Sequence, residues 1–273
     1  MMARLSRALL WLCCAIANLV AAQSGIFEID LVFPKNGTWS STSGLPIVFA
    51  VQQPQLGVLV QRQVIRWTLD RESNSFNSSG FSGQVTFETN ATASNQNLFI
   101  ATGFTNAISG IEGDWAFRWQ VSTRNCSLIT SDNALTTFSS SSQGRGVGFR
   151  TSKSAPVPNI DTALALDACR DSRWLAYNVS AVQKIPEGSD ALLSSSCAAL
   201  AAQPTVTGNP CAVTISAAAS SSASAAISYS ACQATSTACA SPTTTTKPSA
   251  ADRPESRSFL LWLVVGALGL VAA

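Results

Sequence analysis

Carboxylates are the side chains of this chain with the widest chemical reach, because none of its 273 residues is histidine. Without an imidazole there is no Ser-His-Asp or Cys-His activation, no His-ligated zinc or copper and no His proton shuttle. Carboxylates by themselves suffice for glycoside hydrolysis, which needs two Asp or Glu side chains across a cleft. Two pairs have suitable spacing, Glu28 with Asp30 and Glu112 with Asp114. Each also has a plainer reading. Glu28 and Asp30 alternate with Phe27, Ile29, Leu31 and Phe33, which puts them on the solvated face of an amphipathic strand. Glu112 and Asp114 flank Gly113 in a turn, where Asp supports the backbone. The expectation is a protein without a catalytic pair, and not an enzyme.

Aromatic side chains suggest a different chemistry. Trp115, Phe117 and Trp119 alternate with Ala116, Arg118 and Gln120, and a row of planar rings can stack on sugars. The same alternation is what core packing predicts, and that reading is preferred for Trp115 and Trp119. Arg118 on the opposite face then reads as a solvated cross-strand partner. Trp39 and Trp174 lie in less regular sequence and are the better candidates for exposed, glycan-contacting rings. The glycine run Gly144-Arg145-Gly146-Val147-Gly148 has no Walker lysine and no following helix, so it reads as a hairpin turn and not a phosphate loop. No cofactor is expected.

The elements that must position these residues are strands. Phe27 to Phe33 ends at Pro34 and the Asn36-Gly37 turn, and Pro46 to Val51 is short and wholly apolar. Val58 to Leu69, Gln84 to Thr89, Asn97 to Thr102, Asp114 to Ser122, Ser127 to Thr130 and Gly146 to Arg150 complete the set. Short strands separated by turn signals predict a mainly β, antiparallel sandwich-like ectodomain. After Pro156-Val157-Pro158 the pattern changes. Thr162 to Ala168 and Ser194 to Ala202 read as short helical turns carrying cysteines. Ala212 to Ala231 is Ala- and Ser-rich but holds Val213, Ile215, Ile227 and Tyr229, so it belongs to the folded unit. From about Gln233 the composition turns to Thr, Ser, Ala and Pro, which cannot bury a core and suits an O-glycosylated stalk.

Both ends read as addresses. Met1 to Val20 has a basic start, with Arg4 and Arg7, and a short apolar run ending at Ala21-Ala22, the pattern of a cleaved signal peptide. Phe259 to Ala273 is fifteen apolar residues, short of the roughly 20 that span a bilayer. A polar spacer and the small residues Ser249-Ala250-Ala251 precede it, which together form a glycosylphosphatidylinositol (GPI) attachment signal. Ser249 is the expected attachment residue, with Ala250 the alternative. The organisation is therefore residues 1–22 signal, 23–232 ectodomain, 233–251 stalk and attachment region, and 252–273 removed tail. The expected location is the outer leaflet of the plasma membrane, the cell wall, or both.

Cysteine and asparagine usage fits that compartment. Cys126, Cys169, Cys197, Cys211, Cys232 and Cys239 remain after signal removal, and an even number in a secreted chain predicts three disulfides. Fifteen connectivities are open. No Cys-x-x-Cys pair supports zinc. Sequons at Asn36, Asn77, Asn90, Asn125 and Asn178 mark positions expected at the surface, Asn125 being the weakest because Cys126 follows it. Residues 23–249 carry thirteen basic and thirteen acidic side chains, so nucleic acid is an unfavoured partner.

The segments Gly25-Ile26-Phe27-Glu28-Ile29-Asp30-Leu31-Val32-Phe33-Pro34, Leu45-Pro46-Ile47-Val48-Phe49-Ala50-Val51-Gln52 and Asn209-Pro210-Cys211 resemble a filamentous-fungal family of secreted proteins known as a domain of unknown function. Many of its members end in a Ser/Thr-rich tract and a GPI signal. The resemblance covers about Gln23 to Cys232 and implies a fungal surface setting, with wall glucan or other glycans as partners. It implies no catalytic residue. The reading is thus a GPI-anchored surface or wall glycoprotein, structural or binding, with a glycan-binding module and a carboxylate glycosidase as alternatives.

Overall fold

A computed structural model describes residues 24–59, 64–72, 80–87, 97–129, 134–164, 173–184, 196–201, 206–210, 212, 214–235 and 239. By contacts the chain divides into a unit Met1–Ala240 and a unit Ser241–Ala273, and every described residue lies in the first.

That unit is mainly β. Among the described residues ten strands run in chain order: β1 (Gly25–Phe33), β2 (Thr38–Ser40), β3 (Leu45–Gln52), β4 (Val64–Arg71), β5 (Phe81–Thr86), β6 (Leu98–Thr105), β7 (Gly113–Ile129), β8 (Ala134–Ser152), β9 (Arg173–Lys184) and β10 (Ser196–Leu200). They form two five-stranded sheets, ordered β10-β9-β1-β3-β6 and β2-β8-β7-β4-β5. Pairing is antiparallel throughout except for the short parallel contact of β2 with β8. Among the described residues three helices complete the unit: α1 (Pro54–Leu59), α2 (Ile160–Ala163) and α3 (Ala217–Thr235).

The core lies between the sheets. Phe27, Ile29 and Leu31 of β1 point into it, as the period of two requires, and Phe49 of β3 meets Trp119 of β7 across it at 5.2 Å. Trp115, Phe117 and Trp119 are all buried, so this stripe is core and not a sugar platform. The Trp115 indole N–H is satisfied inside by the Thr151 hydroxyl at 2.9 Å.

Several sequence expectations change. Val58 to Leu69 is not one strand, because α1 occupies its start. Pro54 suits a first helical turn, and Leu56 and Leu59 at i, i+3 bury one face. Gly57 lets α1 sit on the Phe27 ring, where a Cβ would come within 2.7 Å of a ring carbon. The two strands expected at Asp114 to Ser122 and Ser127 to Thr130 are one continuous β7. The glycine run from Gly144 to Gly148 is not a hairpin turn but lies inside β8, where a Cβ at Gly144 would overlap the Trp119 indole. Of Ser194 to Ala202, the described part is not helical: Ser196–Leu200 forms β10 and pairs with β9, and sheet pairing overrides the helix propensity of its alanines. Of the turn expected at Thr162 to Ala168, the described part is α2 and its end. Of Ala212 to Ala231, the part from Ala217 on folds as α3, with Ala223 and Ile227 buried at i, i+4.

The first sheet is covered on both sides. Its inner face meets the second sheet, while α3 packs on β6 and residues 206–210 lie over β1 and β3. β1 is therefore a central strand buried on both faces, and this positions the site described next.

Candidate functional site

β1 carries Glu28 and Asp30 on its outward face, next to Gln52 across the ladder to β3 and to Ala176 and Trp174 across the ladder to β9. An outward face was read as a solvated one. The correction is large: Glu28 is 3 % exposed and Asp30 1 %. A second layer causes it. The Asn209 backbone N–H donates to Glu28 Oε2 at 2.8 Å. Gln52 Nε2 donates to Asp30 Oδ2 at 2.9 Å and to the Asn209 carbonyl at 3.0 Å. One side-chain amide thus ties the cover to the acid below it. Gly208 completes the seal, since a Cβ there would stand 2.6 Å from the Trp174 ring and 2.8 Å from Glu28 Oε1.

The electrostatics follow from that burial. Desolvation pushes the Asp30 carboxyl up to about 8, helped by its hydrogen bond to Glu28 and opposed by the one from Gln52. Among the described residues Glu28 Oε1 and Asp30 Oδ1 find no donor. Carboxylates only accept, so a proton on one of the pair is what lets the two carboxyls bond each other. A buried acid dyad sharing one proton is chemically competent as a general acid, but here it is closed off from any polymer.

The other carboxylates do something else. Glu112 Oε1 accepts the Lys153 backbone N–H at 2.6 Å and the Ser152 hydroxyl at 3.2 Å. The Lys153 bond, above all, lowers its carboxyl below the ordinary range. Asp114 is exposed and faces Arg150 at 3.8 Å. Both therefore brace the end of β8, but Asp114 lies in β7 and not in a turn, and it is Glu112 that supports the backbone. Among the described residues no three Cys, Asp or Glu side chains gather as metal ligands.

A second, open feature lies on the outward face of the second sheet. Arg66 and Thr68 of β4, Arg118 and Gln120 of β7, and Gln143 of β8 line a cleft of about 430 Å³ with Gly144 and Gly146. Register sets the pairs, Arg66 opposite Gln120 and Thr68 opposite Arg118. Arg118 is ion-paired with Asp70 of β4, the solvated cross-strand role read from sequence. A third feature, a cleft of about 930 Å³, runs between β6 and α3 and continues along Ala212, Thr214 and Ser216.

The remaining expected positions fall as follows. Trp115 and Trp119 are buried and cannot stack on a sugar. Trp39 is half-buried, donates to the Lys35 carbonyl at 3.0 Å and packs edge-on to Phe33, while Trp174 is half-buried beside the acid pair. Asn36 and Asn178 are exposed. Asn125 lies in β7, paired with Phe138, and its side chain is not described. Asn77 and Asn90 lie outside the described residues. Among the described residues there are two disulfides, Cys126–Cys197 from β7 to β10 and Cys232–Cys239 at the end of α3. Cys169, Cys211, Ser249 and Ala250 lie outside the described residues. Among the described residues no helix is long and apolar enough to cross a membrane. Sequence reasoning missed Gln52, Gly208 and Asn209 as members of one cluster. Their signal was present, since Glu28, Asp30, Gln52 and Asn209 all come from the three segments that carry the family resemblance.

Fold and site together define a two-sheet β-protein with a disulfide between its sheets and an acid pair sealed beneath its own C-terminal segment. The chain belongs to the family described as a domain of unknown function (DUF7136), whose profile matches residues 22–245. No curated protein matches it.

Proposed function

We propose that the protein is a non-catalytic surface glycoprotein of the binding kind, displayed on a lipid-anchored stalk at a fungal plasma membrane or wall. The observation that carries the binding reading is the polar cleft of the second sheet. Arg66 presents a guanidinium fork, Arg118 beside it is paired with Asp70, and Gln120, Gln143 and Thr68 add amide and hydroxyl groups, in an open trough of about 430 Å³. That set suits a polysaccharide carrying acidic or phosphorylated groups better than one read by ring stacking, because the large aromatics of β7 face inward. Catalysis is disfavoured by the same geometry: the buried acid pair of the described residues is sealed, and Glu112 and Asp114 are engaged in bracing β8. The anchor reading is supported by the small-residue triplet Ser249 to Ala251, the polar spacer and the apolar run to Ala273.

The test is binding of the purified protein to acidic, phosphorylated and neutral wall polymers. Retention on the charged polymers that weakens roughly tenfold, about 1.4 kcal/mol, in Arg66→Ala or in Gln143→Ala supports the reading. Equal or absent binding to every polymer overturns it, and hydrolysis of any of them restores the glycosidase reading. For the anchor, phosphatidylinositol-specific phospholipase should release the protein from intact cells. Retention after the enzyme, and after replacement of Ser249 and Ala250, would point instead to a spanning segment.

A further inference from the structure

The acid pair has no part in that cleft, yet it is the most tightly built polar feature of the described structure. Buried carboxyls are normally held by a cation or by several donors. Here Asp30 faces Glu28 from its own strand, the Gln52 amide from β3, the Trp174 ring from β9 and the Asn209 backbone from the cover. Among the described residues Glu28 is the charged group that bears on it, and neither Lys nor Arg contributes. One proton between the carboxyls is therefore what makes the arrangement tolerable.

We infer that Glu28 and Asp30, sharing one proton, are a latch that holds residues 206–210 against the first sheet, and that loss of this proton frees the cover. With the proton present, Asp30 and Glu28 bond each other and Gln52 and Asn209 close over them. With it gone, two adjacent carboxylates with no cation must reach water, and the described layer above them is the cover itself. Lifting that layer breaks the Asn209 to Glu28 bond and the Gln52 to Asn209 bond together, since both end on the same residue. The next described residues beyond the cover, Ala212, Thr214 and Ser216, line the cleft between β6 and α3. The raised Asp30 carboxyl puts the switch near the alkaline edge of neutrality: latched in acid and neutral media, open in alkaline ones.

The experiment is site-resolved amide exchange on the purified full-length protein at about pH 6 and about pH 9, corrected for base catalysis, with carboxyl carbon titration in parallel. The Asn209 amide should lose at least roughly tenfold in protection across this interval while the Ile29 and Val51 amides of the core do not. The carboxyl titration of the pair should have a midpoint that coincides with this loss. In Asp30→Asn, a neutral isostere that still accepts from Gln52, the loss should vanish. Glu28→Gln, which still accepts from Asn209, should flatten it equally and serves if the first variant does not fold. Unchanged Asn209 protection in the native protein, a carboxyl midpoint in the ordinary acidic range, or the same loss in a folded variant would each overturn the latch.

Discussion

Thr151 accepts the Trp115 indole N–H and donates its own hydroxyl to the Ile111 carbonyl at 2.7 Å, so one buried side chain satisfies two partners. Thr151→Val keeps the shape and removes both bonds. Leaving a buried N–H and C=O unpaired should lower stability by about 1–3 kcal/mol, read as a shifted denaturation midpoint with an unchanged slope. Asp30 makes a prediction of the opposite kind, in pH. Its carboxyl is raised to about 8 in the folded state, so the fold binds a proton that the unfolded chain releases near the ordinary carboxylate value. Its stabilising contribution is thus complete below about pH 4 and disappears as pH rises toward 8. Unfolding free energy should fall over that window in the native protein and fall less in Asp30→Asn. A native profile that is flat from acid to neutral pH would contradict the sharing of a proton. Gly208 adds a steric test. Gly208→Ala drives a methyl toward Trp174 and Glu28, and should speed exchange at Asn209 at every pH.

At the scale of elements, the disulfide from Cys126 to Cys197 joins β7 of one sheet to β10 of the other across 71 residues, with Cα atoms 6.1 Å apart. The bridge from Cys232 to Cys239 closes a span of only 7 residues. In the loop-entropy account the long closure is worth about 4 kcal/mol and the short one about 2.5. Replacing Cys126 and Cys197 together by Ser should therefore lower the melting temperature more than replacing Cys232 and Cys239, a ranking that calorimetry can check. Strand interiors were legible where apolar and polar residues alternate, as in β1 and β7, or where a run is wholly apolar, as in β3. The start of Val58 to Leu69 was not, because six residues of helix with two buried leucines look like a strand when no partner is in view. Ser194 to Ala202 failed for the converse reason: its alanines favour helix locally, and only pairing with β9 makes them a strand.

For the whole molecule, the two bridges among the described residues leave Cys169 with Cys211 as the third pair of the six cysteines beyond the expected signal, if those six are all oxidised. Peptide mapping without reduction should recover that linked pair, and a free thiol at either position would refute it. The composition by itself determined a histidine-free, cysteine-bearing, near-neutral chain whose alternating segments can bury a core only as sheets. These are local properties, set by side-chain chemistry and by the period of two, and they need no knowledge of what lies opposite. The acid pair belongs to the other category. Alternation placed Glu28 and Asp30 on the face away from the core, which is correct, but whether that face is wet depends on residues about 180 positions further along the chain. Only the tertiary structure brings Asn209 over β1 and Gln52 beside it, and desolvation, which no local pattern encodes, then turns two surface charges into a buried pair that shares a proton.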